Sequence, residues 1–534
     1  MLLVFGQFDA ADTAALEAQF SRQRANAPGQ RRRVLPLFDQ HAARALDARA
    51  SALLGDEGHA LMRRAGQAAW QYLLGRWPAA QRIVVVCGPG NNGGDGYVLA
   101  TLAHRSGRQV GVLHLPGHGP RTPLAQRACT DYVAAGGRIE LFPETLPHAD
   151  VVVDALFGIG LTRPADAASA ALIDAINAQP APVFSLDVPS GLDADLGSAP
   201  GRAVDADATL QFIVRHAGLY SGEALEKTGS LDLDELGVAA EAFEPVAPCA
   251  SLLDARALAY WLLPRRRNTH KGESGRVLCI GGDHGHGGAV ALCADAALRS
   301  GAGLLSVATR AEHVAALLAR RPEAMVSAVE SGQALAPLLD QADAIAIGPG
   351  LGQGDWGRAM LRLALASAKP LVLDADALNL LATHPQAVPG AILTPHPGEA
   401  ARLLGIDTAQ VQRDRFAAAQ AIADRHEAVT VLKGAGTIIA APSASPRVVG
   451  AGNPGMAVGG MGDLLTGVIV ALRAGGMPPF EAASAGALLH SMAGDAAAVD
   501  GERGLLPSDL LPHLRRLANP DALPARHERA GEAG

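Results

Sequence analysis

The sequence predicts an α/β protein of two halves, each a parallel sheet covered by helices on both faces. Three observations predict it: short Val, Ile and Leu runs recur, a turn with glycine or aspartate follows each run, and an alanine-rich helical stretch follows the turn. Continuous apolar strands that alternate with helices are typical of parallel sheets. The strand runs are 83–86, 110–115, 151–153, 183–186, 277–280, 344–347, 371–373 and 429–432.

Length and composition agree with several packed domains. The chain has 534 residues, of which 49% are hydrophobic and 18% charged, and about 150 residues per domain is typical. An irregular, proline-bearing segment at 238–251 carries no strand pattern and separates the halves. We predict an N-terminal extension at 1–33, a first domain at 34–240, a linker at 241–251, a second domain at 252–518 and a tail at 519–534.

Charge and cysteine usage exclude several classes of protein. The formal net charge of −8 argues against a general binder of nucleic acid or of anionic membranes. The sequence has no apolar run of about 20 residues, the length of a membrane span, and its first residues lack the basic region of a signal peptide. The five cysteines are scattered without a Cys-x-x-Cys pair, so we expect no disulfide framework and a cytoplasmic location.

The segment Asn453–Asp463 is the strongest chemical signal in the C-terminal half. Its glycines allow backbone N–H groups to approach an anion, and an apolar helical stretch follows. An aspartate there would repel a phosphate, unless it acts as a general base that takes a proton from a hydroxyl attacking phosphorus. The segment therefore indicates phosphoryl transfer to an alcohol, with a plain turn capped by Asp463 as the alternative.

The segment Gly88–Gly96 follows a strand and precedes a helix in the N-terminal half. Gly88, Gly90 and Gly93 have the spacing of a dinucleotide-binding fingerprint, which by itself indicates a nicotinamide dehydrogenase. However, the next strand, 110–115, does not end in an acid that could hold a ribose hydroxyl. The fingerprint therefore predicts a nucleotide site without establishing hydride transfer.

Oxygen-bearing side chains follow two further strands of this half. Asp154 follows one buried run, and Asp187 follows the next, three residues before Ser190. Because the carboxyl ends of parallel strands share one edge of a sheet, these residues should lie near Asn92. Asn92, Asp154 and Ser190 could form a site for a monovalent or other hard cation, or each could stabilise its own turn.

Four motifs of the N-terminal half, in order, resemble those of the NAD(P)H-hydrate epimerase domain. They are Leu61–Gly66, Gly88–Gly96, Asp154–Leu161 and Asp187–Leu192, and the resemblance spans roughly 34–235. It implies a Rossmann-like fold that interconverts the R and S hydrates of NAD(P)H, with Asp187 catalytic and potassium bound by Asn92, Asp154 and Ser190. It also implies that the hydrate is held by Asn91, Asn92, Gly93, Gly94, Asp95, Gly158, Ile159, Gly160, Leu161, Thr162, Arg163, Pro164 and Asp187.

Residues 252–515 resemble the ADP/ATP-dependent NAD(P)H-hydrate dehydratases, which have a ribokinase-like fold. The resemblance implies that the C6 hydroxyl of the S hydrate is phosphorylated, with Asp463 as the base, and that phosphate is then eliminated. The matching motifs are Lys271–Arg276, Gly281–Gly282 with Gly288–Ala289, Gly348–Gly352, Asp374–Asn379, Thr394–Glu399, Lys433–Thr437 and Asn453–Asp463. The implied hydrate contacts are Ala289, Gly350, His396 and Asp463, and the implied nucleotide contacts are Lys433, Gly434, Ala435, Gly436, Thr437 and Gly462.

Several points stay open within this half. Asp374 and Asp376 could bind magnesium or could form a turn with Asn379. His396 lies in a proline-bound turn without a second histidine at helical spacing, so we do not expect zinc. Many relatives carry an aromatic residue near the position of His286, which leaves the contact made there open.

Two other functions compete with the repair enzyme. The Asp463 segment also fits a small-molecule sugar or vitamin kinase fused to a nucleotide-binding module, and the N-terminal half also fits a non-catalytic NAD-binding or RNA-processing scaffold. We expect NADHX or NADPHX and ADP or ATP with Mg²⁺ as the small-molecule partners, with ADP favoured. We also expect a homo-oligomer that binds neither nucleic acid nor membrane.

Overall fold

The computed structural model describes residues 34–519, apart from 56, 57 and 162, and the predicted extension at 1–33 lies outside this range. All eight predicted strand runs form strands, which confirms the α/β prediction. The strands in chain order are β1 (Val34–Leu37), β2 (Arg82–Cys87), β3 (Gln109–His114), β4 (Ile139–Leu141), β5 (Val151–Ala155), β6 (Val183–Leu186), β7 (Ala208–Phe212), β8 (Ser230–Asp234), β9 (Ala250–Leu253), β10 (Arg276–Ile280), β11 (Leu304–Thr309), β12 (Met325–Ala328), β13 (Ala344–Ile347), β14 (Leu371–Leu373), β15 (Ile392–Leu393), β16 (Val429–Leu432), β17 (Thr437–Ala440) and β18 (Arg447–Val449).

The helices follow the strands as the alternating pattern predicts. Many of them bury an apolar stripe against a sheet, as amphipathic helices of α/β proteins do. The α-helices are α1 (Gln40–Leu54), α2 (His59–Arg76), α3 (Asn91–Arg105), α4 (Pro123–Ala134), α5 (Ala167–Asn177), α6 (Ala224–Lys227), α7 (Ala240–Phe243), α8 (Leu258–Trp261), α9 (Gly287–Arg299), α10 (Ala311–Arg320), α11 (Gly332–Gln341), α12 (Asp355–Ala366), α13 (Ala375–Thr383), α14 (Pro397–Leu404), α15 (Thr408–Arg413), α16 (Arg415–His426), α17 (Met461–Ala474), α18 (Pro479–Ala497) and α19 (Pro507–Leu517).

The N-terminal half is built on a seven-stranded sheet in the order β4-β3-β2-β5-β6-β7-β8. Every neighbouring pair in it is parallel. In β5, Val151 and Val153 join one hydrophobic core and Val152 joins another. Because successive side chains of a strand point to opposite faces, both faces of this sheet are buried.

The C-terminal half is built on an eleven-stranded sheet in the order β1-β9-β18-β17-β16-β15-β14-β13-β10-β11-β12. The strands from β16 to β12 are parallel, and β17 and β18 extend the sheet as antiparallel neighbours. In β10, Val277 and Cys279 join one core while Leu278 and Ile280 join the other. This sheet is therefore also covered on both faces.

The edge of the larger sheet contains a strand from the N-terminal half. Strand β9 begins within the predicted linker and pairs with β18, and β1 pairs with β9 in antiparallel register from Val34 opposite Leu253 to Leu37 opposite Ala250. The sequence of β9, Ala-Ser-Leu-Leu, is short and lacks the β-branched residues that mark strands. The N-terminal half therefore contacts the larger sheet from Val34, the first described residue, onward.

Candidate active sites

A cavity of about 680 Å³ lies at the carboxyl ends of strands of the smaller sheet, where helix α3 begins. Such edges bind ligands in open α/β sheets, and a helix N-terminus favours anionic groups. The predicted residues that line it are Asn91, Asn92, Asp95, Gly158, Ile159, Gly160, Leu161, Arg163 and Asp187.

The other predicted hydrate contacts lie elsewhere. Gly93 and Gly94 are buried in the first turns of α3, and Pro164 is exposed just beyond the cavity-lining loop. Thr162 lies outside the described residues. Gly93 is a packing position, because a Cβ added there would lie 2.0 Å from the carbonyl oxygen of Gly88.

Asp187, which lines this cavity, has a strained backbone conformation. It has a φ of 64°, a left-handed conformation that is uncommon outside glycine. Its backbone N–H donates to the Leu210 carbonyl at 2.8 Å, and its Oδ1 accepts the Phe212 N–H at 3.3 Å. Its Oδ1 also lies 2.9 Å from Nε2 of the buried His216. Backbone strain maintained by surrounding contacts is a common feature of functional sites.

Two further carboxylates line the same cavity as Asp187. Asp95 was expected from its motif, whereas Asp47 lies on helix α1, where no motif marks it. Burial raises the pKa of Asp47, and the nearby charge of Asp187 adds to the effect. Burial, then Asp187 and Asp47, raise the pKa of Asp95 well above its ordinary value. The cavity therefore concentrates proton-holding groups around one strained aspartate.

Asp154, at the end of β5, is fully buried, and burial raises its pKa. Its carboxylate accepts the Ser190 N–H at 2.8 Å, the Ser190 Oγ–H at 2.6 Å, the Ser185 Oγ–H at 2.9 Å and the Leu156 N–H at 3.2 Å. No lysine, arginine or histidine pairs with it within the part of the chain that the structure describes. A buried carboxylate without a cationic partner is a natural cation ligand, although these bonds also hold the turn.

The oxygen and nitrogen of the Asn92 side-chain amide are both buried and without a hydrogen-bond partner among the described residues. Buried amides are rarely left unpaired unless a ligand, ion or water completes them. Asn92, Asp154 and Ser190 therefore fit a hard cation such as potassium by donor chemistry.

The C-terminal site is organised around Asp463 in the first turn of α17. Gly460 precedes this turn with a φ of 97°, which lets the chain enter the helix from a tight loop. The N–H groups of Gly462 and Asp463 have no acceptor within the helix, as is general for a first turn. Burial raises the pKa of Asp463 to about 7, and the negative charge of Asp374 contributes. The carboxyl group can therefore take up a proton near neutral pH.

Lys433 lies beside this aspartate and is held by other carboxylates. Its Nζ lies 2.7 Å from Oδ1 of Asp374 and 3.7 Å from Oε2 of Glu399. The other oxygen of Asp374 accepts the Thr466 hydroxyl at 2.8 Å, which ties it to α17. Gly462 lies close to this ammonium, since a Cβ added there would lie 3.1 Å from Nζ. The ammonium thus faces the glycine-rich turn while its charge is balanced by Asp374.

The predicted hydrate contacts of this half lie at neighbouring strand ends. Gly350, after β13, approaches α9 so closely that an added Cβ would lie 3.2 Å from the Ala289 Cβ and 2.6 Å from the His286 carbonyl. Helix α9 packs against α17, which carries Asp463. His396 caps α14, where its Nδ1 accepts the Gly398 N–H at 3.0 Å, and burial lowers its pKa.

Both carboxylates of the Asp374–Asp376 pair have protein partners. Asp374 pairs with Lys433 and accepts the Thr466 hydroxyl, and Asp376 accepts the Gly352 N–H at 2.9 Å and the Gln353 amide at 3.1 Å. Asn379 instead accepts the Arg402 Nε–H at 2.8 Å. The arrangement favours a turn role for Asp376, although its partners are the glycine loop rather than Asn379.

Residues of the N-terminal half donate hydrogen bonds to the predicted nucleotide loop, Lys433–Thr437. The Gly222 N–H donates to the Ala435 carbonyl at 3.0 Å, and the Ser221 hydroxyl donates to the Gly436 carbonyl at 3.0 Å. An added Cβ on Gly436 would lie 2.1 Å from the Tyr220 carbonyl oxygen. The sequence gives no local signal for this contact.

Arg415 reinforces the same loop. It is 1% exposed, and burial lowers its pKa to about 10. Its Nε donates to the Ser221 hydroxyl at 2.9 Å, and its Nη2 lies 3.3 Å from the Lys433 carbonyl and 3.5 Å from that of Gly436. A buried guanidinium without a carboxylate partner among the described residues depends on these hydrogen bonds.

Comparison with known proteins places the chain in a family. The model of NAD(P)H-hydrate dehydratase matches residues 277–516, and that of the YjeF-related protein N-terminus matches residues 58–218. The bifunctional NAD(P)H-hydrate repair enzyme Nnr of Coxiella burnetii is 48% identical over 469 residues, which are 87% of this chain and 96% of that protein. The enzyme of the same description from Escherichia coli K12 is 43% identical, over 91% of this chain and 94% of its own.

A solved structure matches the C-terminal half. It is the ADP/ATP-dependent NAD(P)H-hydrate dehydratase from Bacillus subtilis, co-crystallized with ATP/Mg²⁺, at 30% identity and a TM-score of 0.44, and the match covers 49% of this chain and 96% of that one.

The fold and the family models together define an α/β enzyme with a YjeF-related N-terminal half and an NAD(P)H-hydrate dehydratase C-terminal half. The chain belongs to the family of bifunctional NAD(P)H-hydrate repair enzymes. This confirms the family predicted from the motifs and favours it over a fused kinase or a non-catalytic scaffold. Among the described residues, no helix has both the length and the apolar character needed to cross a membrane.

Proposed function

We propose that this chain repairs hydrated NADH and NADPH in two steps. The N-terminal cavity interconverts the R and S hydrates, and the C-terminal site dehydrates the S form at the expense of ADP or ATP. The observation that carries the proposal is Asp463, a carboxyl group with a pKa raised to about 7, at the start of a glycine-rich helix turn beside Lys433. A base of that pKa is suited to take a hydroxyl proton at neutral pH.

In the dehydratase step, Asp463 takes the proton of the C6 hydroxyl as its oxygen attacks the terminal phosphorus of the nucleotide. The bond from phosphorus to the bridging oxygen breaks, and AMP or ADP leaves. Backbone N–H groups of the turn around Gly462 stabilise the charge on the transferring group. Phosphate then leaves with the C6–O electron pair, a proton is lost from C5 to water, and the C5–C6 double bond of the dihydropyridine is restored.

The nucleotide is proposed to lie against Lys433, Gly434, Ala435, Gly436, Thr437 and Gly462. Ala289, Gly350, His396 and Asp463 are proposed to hold the hydrate. Mg²⁺ accompanies the nucleotide in this proposal.

In the epimerase step, Asp187 is proposed as the proton-handling group. The cavity-lining residues of the two glycine loops hold the hydrate, and the start of α3 faces its phosphates. Asn92, Asp154 and Ser190 would hold potassium, which supplies positive charge beside the nucleotide. The domain limits 34–240 and 252–518 and a homo-oligomeric state belong to the proposal. A cytoplasmic location does as well, supported by the five free cysteines.

The test is a coupled assay on purified protein. A mixture of R and S NADH hydrate is supplied with ADP or with ATP, and NADH is followed by its absorbance. The proposal expects complete conversion of both epimers, faster with ADP, and no conversion without nucleotide. Conversion that stops at half of the mixture would remove the epimerase role, and nucleotide-independent conversion would remove the dehydratase mechanism.

A further inference from the structure

His216 lies next to the proposed epimerase base and has no assigned role. It follows β7, lines the cavity and is only 2% exposed. Its Nε2 lies 2.9 Å from Oδ1 of Asp187. Within the described residues this is the single basic side chain that pairs with Asp187.

Hydrogen bonds hold the backbone of His216 and of its two neighbours in place. The His216 N–H donates to Oε1 of Gln211 at 2.8 Å, and the Gln211 amide donates to the Tyr220 hydroxyl at 2.9 Å. On either side of His216, the Arg215 carbonyl accepts the Phe38 N–H at 2.9 Å and the Ala217 N–H donates to the Phe38 carbonyl at 3.0 Å. A side chain anchored in this way can hold its partner in one orientation, which a catalytic group requires.

The second ring nitrogen is unsatisfied. Nδ1 of His216 is buried and has no hydrogen-bond partner among the described residues. Because buried polar atoms are nearly always paired, an unpaired one beside a ligand cavity indicates a site completed by something else. With Nε2–H donating to Asp187, Nδ1 is left as a hydrogen-bond acceptor.

The contact with His216 distinguishes Asp187 from the neighbouring carboxyl groups. Asp47 and Asp95 line the same cavity, but among the described residues neither of them pairs with a histidine. An imidazole N–H that donates to a carboxylate fixes the orientation of that carboxylate. The contact therefore singles out Asp187 as the carboxylate that is held in place.

We propose that His216 is a positioning residue of the epimerase, which holds Asp187 in its reactive orientation through the Nε2–H···Oδ1 bond. The inference rests on the epimerase function proposed above. Asp187 takes the proton of the C6 hydroxyl, the C6–O bond becomes a carbonyl, and the C6–N1 bond breaks with its electron pair on N1. N1 then attacks the other face of the carbonyl, and Asp187 returns the proton to the oxygen.

The experiment compares His216→Leu, which removes the donor, with His216→Gln, whose amide nitrogen replaces Nε2. In the full-length protein, the epimerisation kcat of the leucine variant should fall about 10- to 100-fold with KM changed less than threefold. The glutamine variant should recover to within about fivefold of wild type. In an Asp187→Asn background, His216→Leu should have no further effect, because the two residues act through one bond.

Matched controls separate positioning from folding. His426→Leu removes a fully buried histidine of the other half and should lower Tm without changing epimerisation. Dehydration of purified S hydrate, measured on each His216 variant, should equal wild type. If His216→Leu does not fold, His216→Asn, which is too short to reach Asp187, takes its place.

Two results overturn the assignment of His216: a leucine or asparagine variant with a kcat within threefold of wild type, or a loss confined to KM. If wild type itself does not epimerise, the proposed function fails instead.

Discussion

At the scale of single residues, Asp463 carries the dehydratase chemistry. We predict that Asp463→Asn lowers the dehydration rate by about 10²- to 10⁴-fold, the usual cost of losing a general base. The amide keeps the shape of the side chain, so ADP affinity by calorimetry should stay within threefold. Asp355→Asn, which changes an exposed acid in the first turn of α12, is the matched control and should be neutral. Near-normal turnover of Asp463→Asn would remove its catalytic role.

The raised pKa of Asp463 predicts a pH dependence. Because the base must be ionised, wild-type kcat/KM for dehydration should fall about tenfold per pH unit below a pKa of about 7. The folded pKa exceeds the unfolded one, so ionisation costs stability as pH rises from about 4 to about 7. Asp463→Asn should therefore raise Tm at pH 8 and lose this advantage near pH 4. A flat rate profile between pH 5.5 and 8 would contradict the assignment.

Asp154 permits a prediction about potassium. Asp154→Asn keeps the size of the side chain but removes the charge that a cation would balance, so the epimerase should lose its response to added potassium while the dehydratase does not change. Ser185→Ala is the matched control, because it removes one hydrogen bond to Asp154 without removing a proposed ligand. The control should melt lower and keep the potassium response. The same pattern in Asp154→Asn would show that this aspartate only holds its turn.

At the scale of elements, the loop Lys433–Thr437 depends on a contact from the other half. We predict that Ser221→Ala and Arg415→Met each raise KM for ADP about 3- to 10-fold, because the loop carbonyls lose donors, while KM for the S hydrate stays within twofold. Arg447→Met is the matched control, since Arg447 is also largely buried but pairs with Glu481 away from this loop. Equal effects on both KM values would indicate general loosening rather than loop positioning.

At the scale of the whole molecule, we predict that the two activities can be separated, with a loss of stability and of ADP affinity. A fragment starting near residue 248 should dehydrate only the S hydrate and leave the R hydrate. It loses the β1 partner of β9 and the Ser221 contact, so it should also melt lower and bind ADP more weakly than the full chain. Exposed strand edges favour aggregation, which light scattering would detect.

The control for this fragment is full-length Asp187→Asn, which should also leave the R hydrate but should keep the wild-type Tm and ADP affinity. Rapid consumption of both epimers by the fragment, faster than they interconvert unaided, would contradict the division of labour. Equal Tm values for fragment and full chain would show that β1 contributes no stability to the larger sheet.

Much of this protein could be predicted from local sequence. The strand runs, the alternation with helices and the glycine-rich turns at strand ends are short-range patterns, because periodicity and turn chemistry act within a few residues. The same holds for Asp187 and Asp463, which are marked by the turns that carry them. Local sequence was therefore enough to predict the α/β class and the turns that carry the candidate catalytic residues.

Only the tertiary structure decided which distant residues meet. The pairing of β1 with β9, the cavity position of Asp47, the contact of His216 with Asp187 and the bond from Arg415 to Ser221, 194 residues apart, have no local signal. Even Lys433, a predicted nucleotide contact, has its ammonium balanced by Asp374, 59 residues earlier. The physical reason is that burial and charge pairing depend on which surfaces the packed sheets bring together, and a linear pattern does not specify those partners.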